Sequence, residues 1–380
     1  AGFEEMLDTD PGQGAASNHV QRQGRAEELA DDLERLGPTF VKLGQLLSTR
    51  AGILAPEYIE ALSRLENGAK PFDFENVRRI IGEEFGTRSH RLFHDIEPRP
   101  LAAASLGQVH RATTHDGREV AVKIQRPDIR DGIHADLDAL AELAKFFDGH
   151  TKIGRRVGFE QIVSELRKSL LDELDYRREA RNLEVVRHNL ESFQRLVVPA
   201  VSRDYSTTRV LTMDLIRGHK ITSLSPVVLI EVARQELADE LSGAYLKQIL
   251  VDGIFHADPH PGNVLLTEDG RLGLIDLGMV AQVPPRMQES LVKLLLPICD
   301  GHGDDAAALT LALATLLPDV QEDEFKRRAA DFVVRCHNAD LDQLSAGREM
   351  MGFHAIAADT GVEHGHLHAL RQQAARQVIR

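Results

Sequence analysis

The chain has 380 residues and a formal net charge of −14, with 42% hydrophobic and 27% charged residues. That make-up is ordinary for a globular chain of two or three domains, and it excludes disorder, collagen or a disulfide scaffold as the main description. The acidic balance argues against a nucleic-acid binder, and the two cysteines, Cys299 and Cys336, fit a reducing compartment rather than a disulfide framework.

Taken in chain order, residues 1–24 are rich in Gly, Gln, Asn and Asp and read as a poorly ordered lead-in. From Arg25 the spacing of Leu29, Leu33 and Leu36 predicts a helix. Gly37-Pro38 stops it, and Pro38 opens a second helix to about Arg50. Further helices are predicted at Pro56–Glu66 and Phe74–Phe85, so residues 1–95 read as an all-helical extension. The period then changes. Gln108–Ala112 and Val120–Gln125 are strand-like, and Asp116-Gly117 between them signals a hairpin. Two long helices are predicted, Ile129–Phe147 and Gly158–Glu191, and a strand pair at Val197–Ala200 and Arg209–Met213. Helix resumes over Pro226–Leu250. A loop-rich stretch with short strands at Val264–Leu266 and Leu272–Ile275 follows, and residues 285–380 read as helical. The longest nearly apolar run, Ala306–Leu317, is too short to span a bilayer as a helix. No leader of signal-peptide type opens the sequence, so the location expected is cytoplasmic.

The densest chemistry lies in His256-Ala257-Asp258-Pro259-His260-Pro261-Gly262-Asn263 and in Asp276-Leu277-Gly278. Phosphoryl transfer from Mg·ATP needs a carboxylate near the attacking oxygen, an amide oxygen on metal, and a second carboxylate between metal and phosphates. Asp258, Asn263 and Asp276 supply these in order, and the apolar runs beside Asn263 and Asp276 place both metal ligands at strand ends. Upstream, Val120-Ala121-Val122-Lys123 matches V-A-I-K, whose lysine holds the α- and β-phosphates.

Before that strand, Ala102-Ala103-Ala104-Ser105-Leu106-Gly107-Gln108-Val109 can be laid on G-x-G-x-x-G-x-V. Alanine stands at two of the three glycine positions, and the expectation is a stiffer, helical loop with a different phosphate grip. The helix expected at Leu171–Asn182 offers Glu173, Asp175 and Glu179 as partners for Lys123, with Asp175 and Glu179 on one face, and Glu179 is assigned. Leu211–Gly218 reads as an interlobe hinge, with Met213, Asp214 and Ile216 near adenine. His364, His366 and His368 alternate; on a helix only His364 and His368 could share a face, and with no Cys or carboxylate cluster in support they are not read as a metal site. Cys299 and Cys336 are read as buried small apolar residues.

Four segments together resemble the UbiB/AarF family of atypical protein-kinase-like proteins. They are Lys42-Leu43-Gly44-Gln45, the alanine-rich loop, Glu173-Leu174-Asp175 continuing to Glu179-Ala180-Arg181-Asn182, and the stretch from Asp258 to Asp276. The resemblance covers about residues 36–280. Leu277 replaces the usual Phe of D-F-G, and Tyr176 follows the E-x-D.

The fold implied is α+β and two-lobed, kinase-like. It comprises an extension over 1–95, an N-lobe over 96–216 with a helical insertion at 129–192, and a mostly helical C-lobe over 217–380. The resemblance further implies that Lys42 and Gln45 pack over the cleft, with Lys42 facing Glu173 and Asp175 as a plug against protein substrates. No A-P-E follows Asp276, and Pro284-Pro285 comes soon after it, which also disfavours protein substrates.

The function expected is Mg²⁺-dependent ATP/ADP binding with ATPase activity or phosphotransfer to a lipid or isoprenoid quinone precursor, with peripheral membrane contact through the N-terminal helices. Two alternatives are a small-molecule kinase of the aminoglycoside or choline type and a nucleotide-gated scaffold without catalysis.

Overall fold

The structure is a computed structural model and describes residues 15–48, 54–65, 70–224, 234–257, 261–316 and 320–338, with 356–357, 360 and 362–363 as short pieces. The chain divides into two compact units, one of residues 1–181 and 200–215, the other of residues 182–199 and 216–380.

The first unit opens on three helices, α1 (Ala15–Leu36), α2 (Pro38–Ser48) and α3 (Pro56–Ser63). α1 begins ten residues before the predicted start: the stretch after Ala15 holds no proline, and the single Gly24 does not stop the helix that the Ala-, Gln- and Arg-bearing sequence around it forms. Gly37, at φ +107°, makes the corner between α1 and α2 that a side chain would strain. Ala26, Leu33, Val41, Tyr58, Leu62 and Leu65 form the buried core of this bundle.

α4 (Phe74–Phe85) ends at Gly86 in the left-handed conformation, and α5 (Ser89–Leu92) follows. The strands are β1 (Asp95–Ile96), β2 (Ala102–Ala103), β3 (Gly107–Thr113) and β4 (Glu119–Gln125). The next, β5 (Leu196–Val197), belongs to the second unit, and β6 (Val210–Asp214) returns to this sheet. The antiparallel order is β1-β3-β4-β6, with β2 paired to β3. One face packs Val120, Val122, Ile124 and Val210 against Val77, Ile80 and Ile81 of α4.

Three helices follow β4: α6 (Ile129–His150), the short α7 (Lys152–Val157) and α8 (Phe159–Glu173). Leu43 and Leu46 of α2 pack on a core of Ile133, Leu137, Leu166, Leu170 and Leu174, so the extension is built onto this insertion. The predicted helix Gly158–Glu191 is broken in two, because α9 (Tyr176–Asn189) starts anew after Leu174-Asp175. No Gly or Pro marks the break; the Asp175 carboxylate makes it, accepting the Arg177 N–H (3.1 Å) at the start of α9.

The predicted pairing of Val197–Ala200 with Arg209–Met213 does not form as a ladder. β6 pairs with β4, β5 pairs in parallel with another strand, and only an isolated bridge joins Val201 to Met213. β6 is fully apolar along Val210 and Leu211 and is taken up by the larger sheet.

The second unit holds the sheet β5-β10-β9-β7, formed with β7 (Gly218–Lys220), β9 (Val264–Thr267) and β10 (Leu272–Leu274). A separate antiparallel pair joins β8 (Ile254–His256) to β11 (Val280–Gln282). Its helices are α10 (Arg234–Lys247), which widens into a π turn at Gln248–Asp252, α11 (Pro285–Cys299), α12 (Gly303–Leu313) and α13 (Glu322–Asn338).

The region read as wholly helical from 285 also holds a two-residue pairing of β12 (Thr315–Leu316) with β13 (Val362–Glu363). Cys299 is exposed and Cys336 half-buried, against the buried reading, because each lies in the closing turns of a surface helix. His364, His366 and His368 lie outside the described residues.

Candidate nucleotide and metal site

Lys123 sits on β4 between two hydrogen-bonded neighbours, opposite Val109 on β3 and Leu211 on β6. Its Nζ donates to both carboxylate oxygens of Glu179, each at 2.8 Å. Glu179 lies one turn into α9 and is buried. The Tyr176 ring, a turn earlier on the same helix, lies 5.3 Å from Nζ and gives the ammonium an aromatic face. A charge held by a bidentate carboxylate and an aromatic ring keeps one position, which a cation meant to orient phosphates requires.

The alanine-rich loop is a tight hairpin rather than a helix. Ala102 pairs with Val109 and Ala103 with Gln108, and the Ala104 N–H donates to Gly107 O at 2.8 Å. The loop stays extended because β3 continues through it and captures the alanine backbone. Gly107 is needed there for space. A Cβ on it would lie 2.5 Å from both Ile124 O and Tyr176 Oη. Ser105 stands in the two-residue turn between Ala104 and Gly107.

Lys42 Nζ forms an ion pair with Glu173, both partly buried. Asp175, the other E-x-D carboxylate, is spent on the start of α9. Gln45 reaches a different target, donating to Leu65 O (3.0 Å) inside the extension. The glycine between them is structural. A Cβ on Gly44 would meet Leu65 Cδ1 at 2.4 Å and Leu33 Cδ1 at 3.0 Å, so α2 needs glycine to lie this close to α1 and to the end of α3.

In the second unit, β9 and β10 form an antiparallel hairpin, with Val264 opposite Leu274. The Ile275 N–H donates to Asn263 O at 3.1 Å. Asn263 and Asp276 therefore stand at the same end of one hairpin, Asn263 opposite Ile275 and Asp276 one residue further on. The Gly278 N–H donates to Asp276 Oδ1 (3.0 Å), and the Asn182 side chain donates to Leu277 O (3.0 Å), fixing the Asp-Leu-Gly backbone. Both are hard oxygen donors of the kind Mg²⁺ takes alongside phosphate and water. Among the described residues, no group of three or more His, Cys, Asp or Glu gathers as a metal cage.

Asp258 lies outside the described residues. Its approach strand β8 ends at His256, which is buried, with its backbone N–H on Gln248 Oε1 (3.1 Å) and its Nδ1 3.3 Å from the Tyr245 hydroxyl. After Asp276, β11 pairs back onto β8, and α11 begins at Pro285.

Of the hinge residues, Met213 and Asp214 end β6, and Ile216 is the first residue on the far side of the division between the units. Three positioning side chains went unread in the sequence: Tyr176 beneath Lys123, and Gln125 and Arg126, two and three residues after β4's lysine. The Tyr176 position was visible as the residue after E-x-D. Gln125 and Arg126 grip backbone carbonyls, which leave no pattern in a sequence.

A lysine on the middle strand of an antiparallel sheet, clamped by a helix glutamate, belongs with an Asp-x-Gly turn in the protein-kinase-like class, and the fold is of that class. Within it, the chain belongs to the ABC1 atypical kinase-like family, whose domain model matches residues 64–309. It is similar to the Synechocystis protein sll1770 (38% identical over 297 residues, 78% of this chain and 51% of that one). The Arabidopsis protein named Activity of BC1 Complex Kinase 8, chloroplastic, is 34% identical over 346 residues, 90% of this chain and 45% of that one. An Arabidopsis protein named as an aarF domain-containing kinase, chloroplastic, is 34% identical over 341 residues, 89% and 46%. The chain thus spans about half the length of these relatives. A solved structure of the Mycobacterium tuberculosis protein Rv3197 in complex with erythromycin matches with a TM-score of 0.54 at 25% identity, covering 94% of this chain and 95% of that one. The UbiB/AarF resemblance read from the motifs agrees with these names.

Proposed function

We propose that the protein binds ATP or ADP with Mg²⁺ and works as an ATPase or as a phosphotransferase for a small lipidic acceptor of the isoprenoid quinone precursor type. The observation that carries the reading is the bidentate Lys123–Glu179 pair on β4 and α9. Lys123 orients the phosphates and Glu179 holds Lys123. Asn263 and Asp276 would hold the Mg²⁺, which when bound neutralises phosphate charge. Asp258 orients the attacking hydroxyl and accepts its proton. The alanine-rich hairpin and the hinge residues Met213, Asp214 and Ile216 take the rest of the nucleotide.

Two observations support a small acceptor over a protein one. Lys42, on a helix of the extension, is tied to Glu173. Residues 277–284, between Asp276 and α11, give no length for a peptide-seating activation segment. The reading includes peripheral membrane contact through the helices of the extension. Among the described residues no helix is long and apolar enough to cross a membrane. The erythromycin complex of the solved relative supports trying drug-like acceptors too, as a small-molecule kinase would require.

The test is thermal stabilisation by ATP and by ADP with and without Mg²⁺, and ATP turnover with vesicles and isoprenoid-like phenols. Wild type should be stabilised in a Mg²⁺-dependent way, and Asp276→Asn should lose that dependence. Unchanged Mg²⁺ dependence in Asp276→Asn would remove the metal assignment. No stabilisation of wild type by either nucleotide would remove the function.

A further inference from the structure

Side chains alternate along a strand, so Lys123 and Gln125 leave β4 on one face and Ile124 on the other; Arg126, the first residue past the strand, reaches the Ile124 side, where Phe72 packs on the same core. Gln125 is buried, and its amide donates to Leu174 O at 3.0 Å. Leu174 is the middle residue of Glu173-Leu174-Asp175, and Arg130 Nη2 reaches the same carbonyl at 3.1 Å.

Arg126 works in the other direction. Its Nε donates to Ser105 O (3.2 Å), and its Nη2 to Lys70 O (2.9 Å) and Ala104 O (3.4 Å). Its own N–H donates to Leu106 O at 2.8 Å. The guanidinium also stands 5.4 Å from the centre of the Phe72 ring. Among the described residues no carboxylate pairs with it. An arginine spent on carbonyls alone is acting on the backbone, using its planar fork of donors.

The chain that Arg126 grips beyond the loop is held a second time. The Phe72 N–H donates to Gln108 Oε1 (3.0 Å), and Gln108 Nε2 donates to Phe72 O (3.2 Å). Residues 70–72 lead from the helical extension toward α4, so they are stitched to the alanine-rich hairpin from both Arg126 and Gln108.

We propose that Gln125 and Arg126 are paired positioning residues. From opposite faces of one strand end, Gln125 fixes the E-x-D turn that carries the Lys42 partner, and Arg126 fixes the alanine-rich hairpin and ties it to the exit of the extension. The proposal rests on the nucleotide reading above only for its effect on affinity. Arg126 approaches the hairpin from the side away from Lys123, so it sets the stance of the loop without touching the nucleotide. Losing it should harm the nucleotide with the longer phosphate chain more.

The experiment compares Arg126→Met, Arg126→Lys and Gln125→Leu with wild type in the full chain. Hydrogen–deuterium exchange is read over residues 70–73, 101–109 and 171–178, and Mg·ATP and Mg·ADP affinities are read by titration calorimetry. Arg126→Met should speed exchange at 70–73 and 101–109 and leave 171–178 unchanged. It should lower ATP affinity at least threefold more than ADP affinity. Arg126→Lys, which keeps charge but reaches fewer carbonyls, should fall between. Gln125→Leu should speed exchange at 171–178 and leave 101–109 unchanged.

Equal loosening of every segment by either variant, or an unchanged exchange pattern, would overturn the proposal. So would an equal fall in ATP and ADP affinity with Arg126→Met. If Arg126→Met does not fold, Arg126→Lys decides by the same measures. Wild type that binds neither nucleotide sinks the proposed function, while the exchange patterns still decide the positioning roles of Gln125 and Arg126.

Discussion

Among its described residues, the first unit contains two lysine–glutamate pairs that look alike in chemistry and differ in how they are held. Lys123 lies on a strand with a hydrogen-bonded neighbour on each side, and its partner Glu179 is only 6% exposed. Lys42 lies on a helix of the extension, and its partner Glu173 is 19% exposed. Each region also carries a motif glycine. Gly107 is pressed against backbone, the carbonyl of Ile124, whereas Gly44 is pressed against the flexible ends of Leu65 and Leu33. The difference teaches that one lysine is fixed by the sheet itself, while the other is held by a bundle that can adjust. The first suits a cation that must not move during phosphate binding. The second suits a contact that can be made and broken.

The sharpest way to break this comparison is through the glycines. Gly107→Ala puts a methyl against a carbonyl that cannot retreat without parting β3 from β4, and should cost about 3 kcal/mol of stability. Lys123→Met should leave the fold in place and lower ATP affinity roughly ten- to a hundredfold, the worth of about 1.5–3 kcal/mol for hydrogen bonds to a charged group. Gly44→Ala asks only leucine side chains to shift, so about 1–2 kcal/mol is expected. Chemical denaturation of both glycine variants checks the order; an equal cost would mean the bundle is as rigid as the sheet.

Lys42→Met sharpens the same contrast. Its pair is partly buried, on a helix rather than inside the sheet, so the loss should be about 1–2 kcal/mol, and nucleotide affinity should stay within about twofold. Calorimetric titration of this variant beside Lys123→Met separates the two lysines. A tenfold loss of affinity in Lys42→Met would make them one unit.

Much of this was legible in the sequence where a residue type answers a backbone demand. Asp116-Gly117 gave the β3–β4 turn, Gly117 taking φ +83°. The apolar runs around Asn263 and Asp276 gave the β9–β10 hairpin, and with it the placement of both residues at one end of that hairpin. The break between α8 and α9 was not legible, since it uses no helix breaker. The Lys42–Glu173 pair spans a distance along the chain that no local pattern encodes, and only the family resemblance suggested it. The alanine loop was misread because helix propensity is a weak prior, which the pairing of β2 with β3 overrides.

The smallest effect concerns how the linker beside the sheet responds to pH. His110 on β3 is fully buried beside the strand that holds Lys123. Its Nδ1 lies 2.7 Å from Glu97 O, and a carbonyl only accepts, so Nδ1 carries the proton. Its Nε2 lies 2.8 Å from Gln108 Nε2, whose oxygen is already accepting from Phe72, so the amide donates and Nε2 must be bare. A second proton would set two donors face to face. Burial pushes the His110 pKa below its ordinary value, partly opposed by the bond to Glu97 O. The folded group is therefore neutral where the unfolded one begins to protonate. Stability from this site is complete above the unfolded value near 6.5 and is lost as pH falls below it toward the lowered folded value. The slope is at most about 1.4 kcal/mol per pH unit, the worth of one proton. Urea denaturation from pH 7.5 to 5.5 should show a fall in stability that His110→Gln largely removes, since glutamine cannot titrate. A slope unchanged in His110→Gln would assign the pH response to other histidines and leave the Gln108–Phe72 tie independent of protonation.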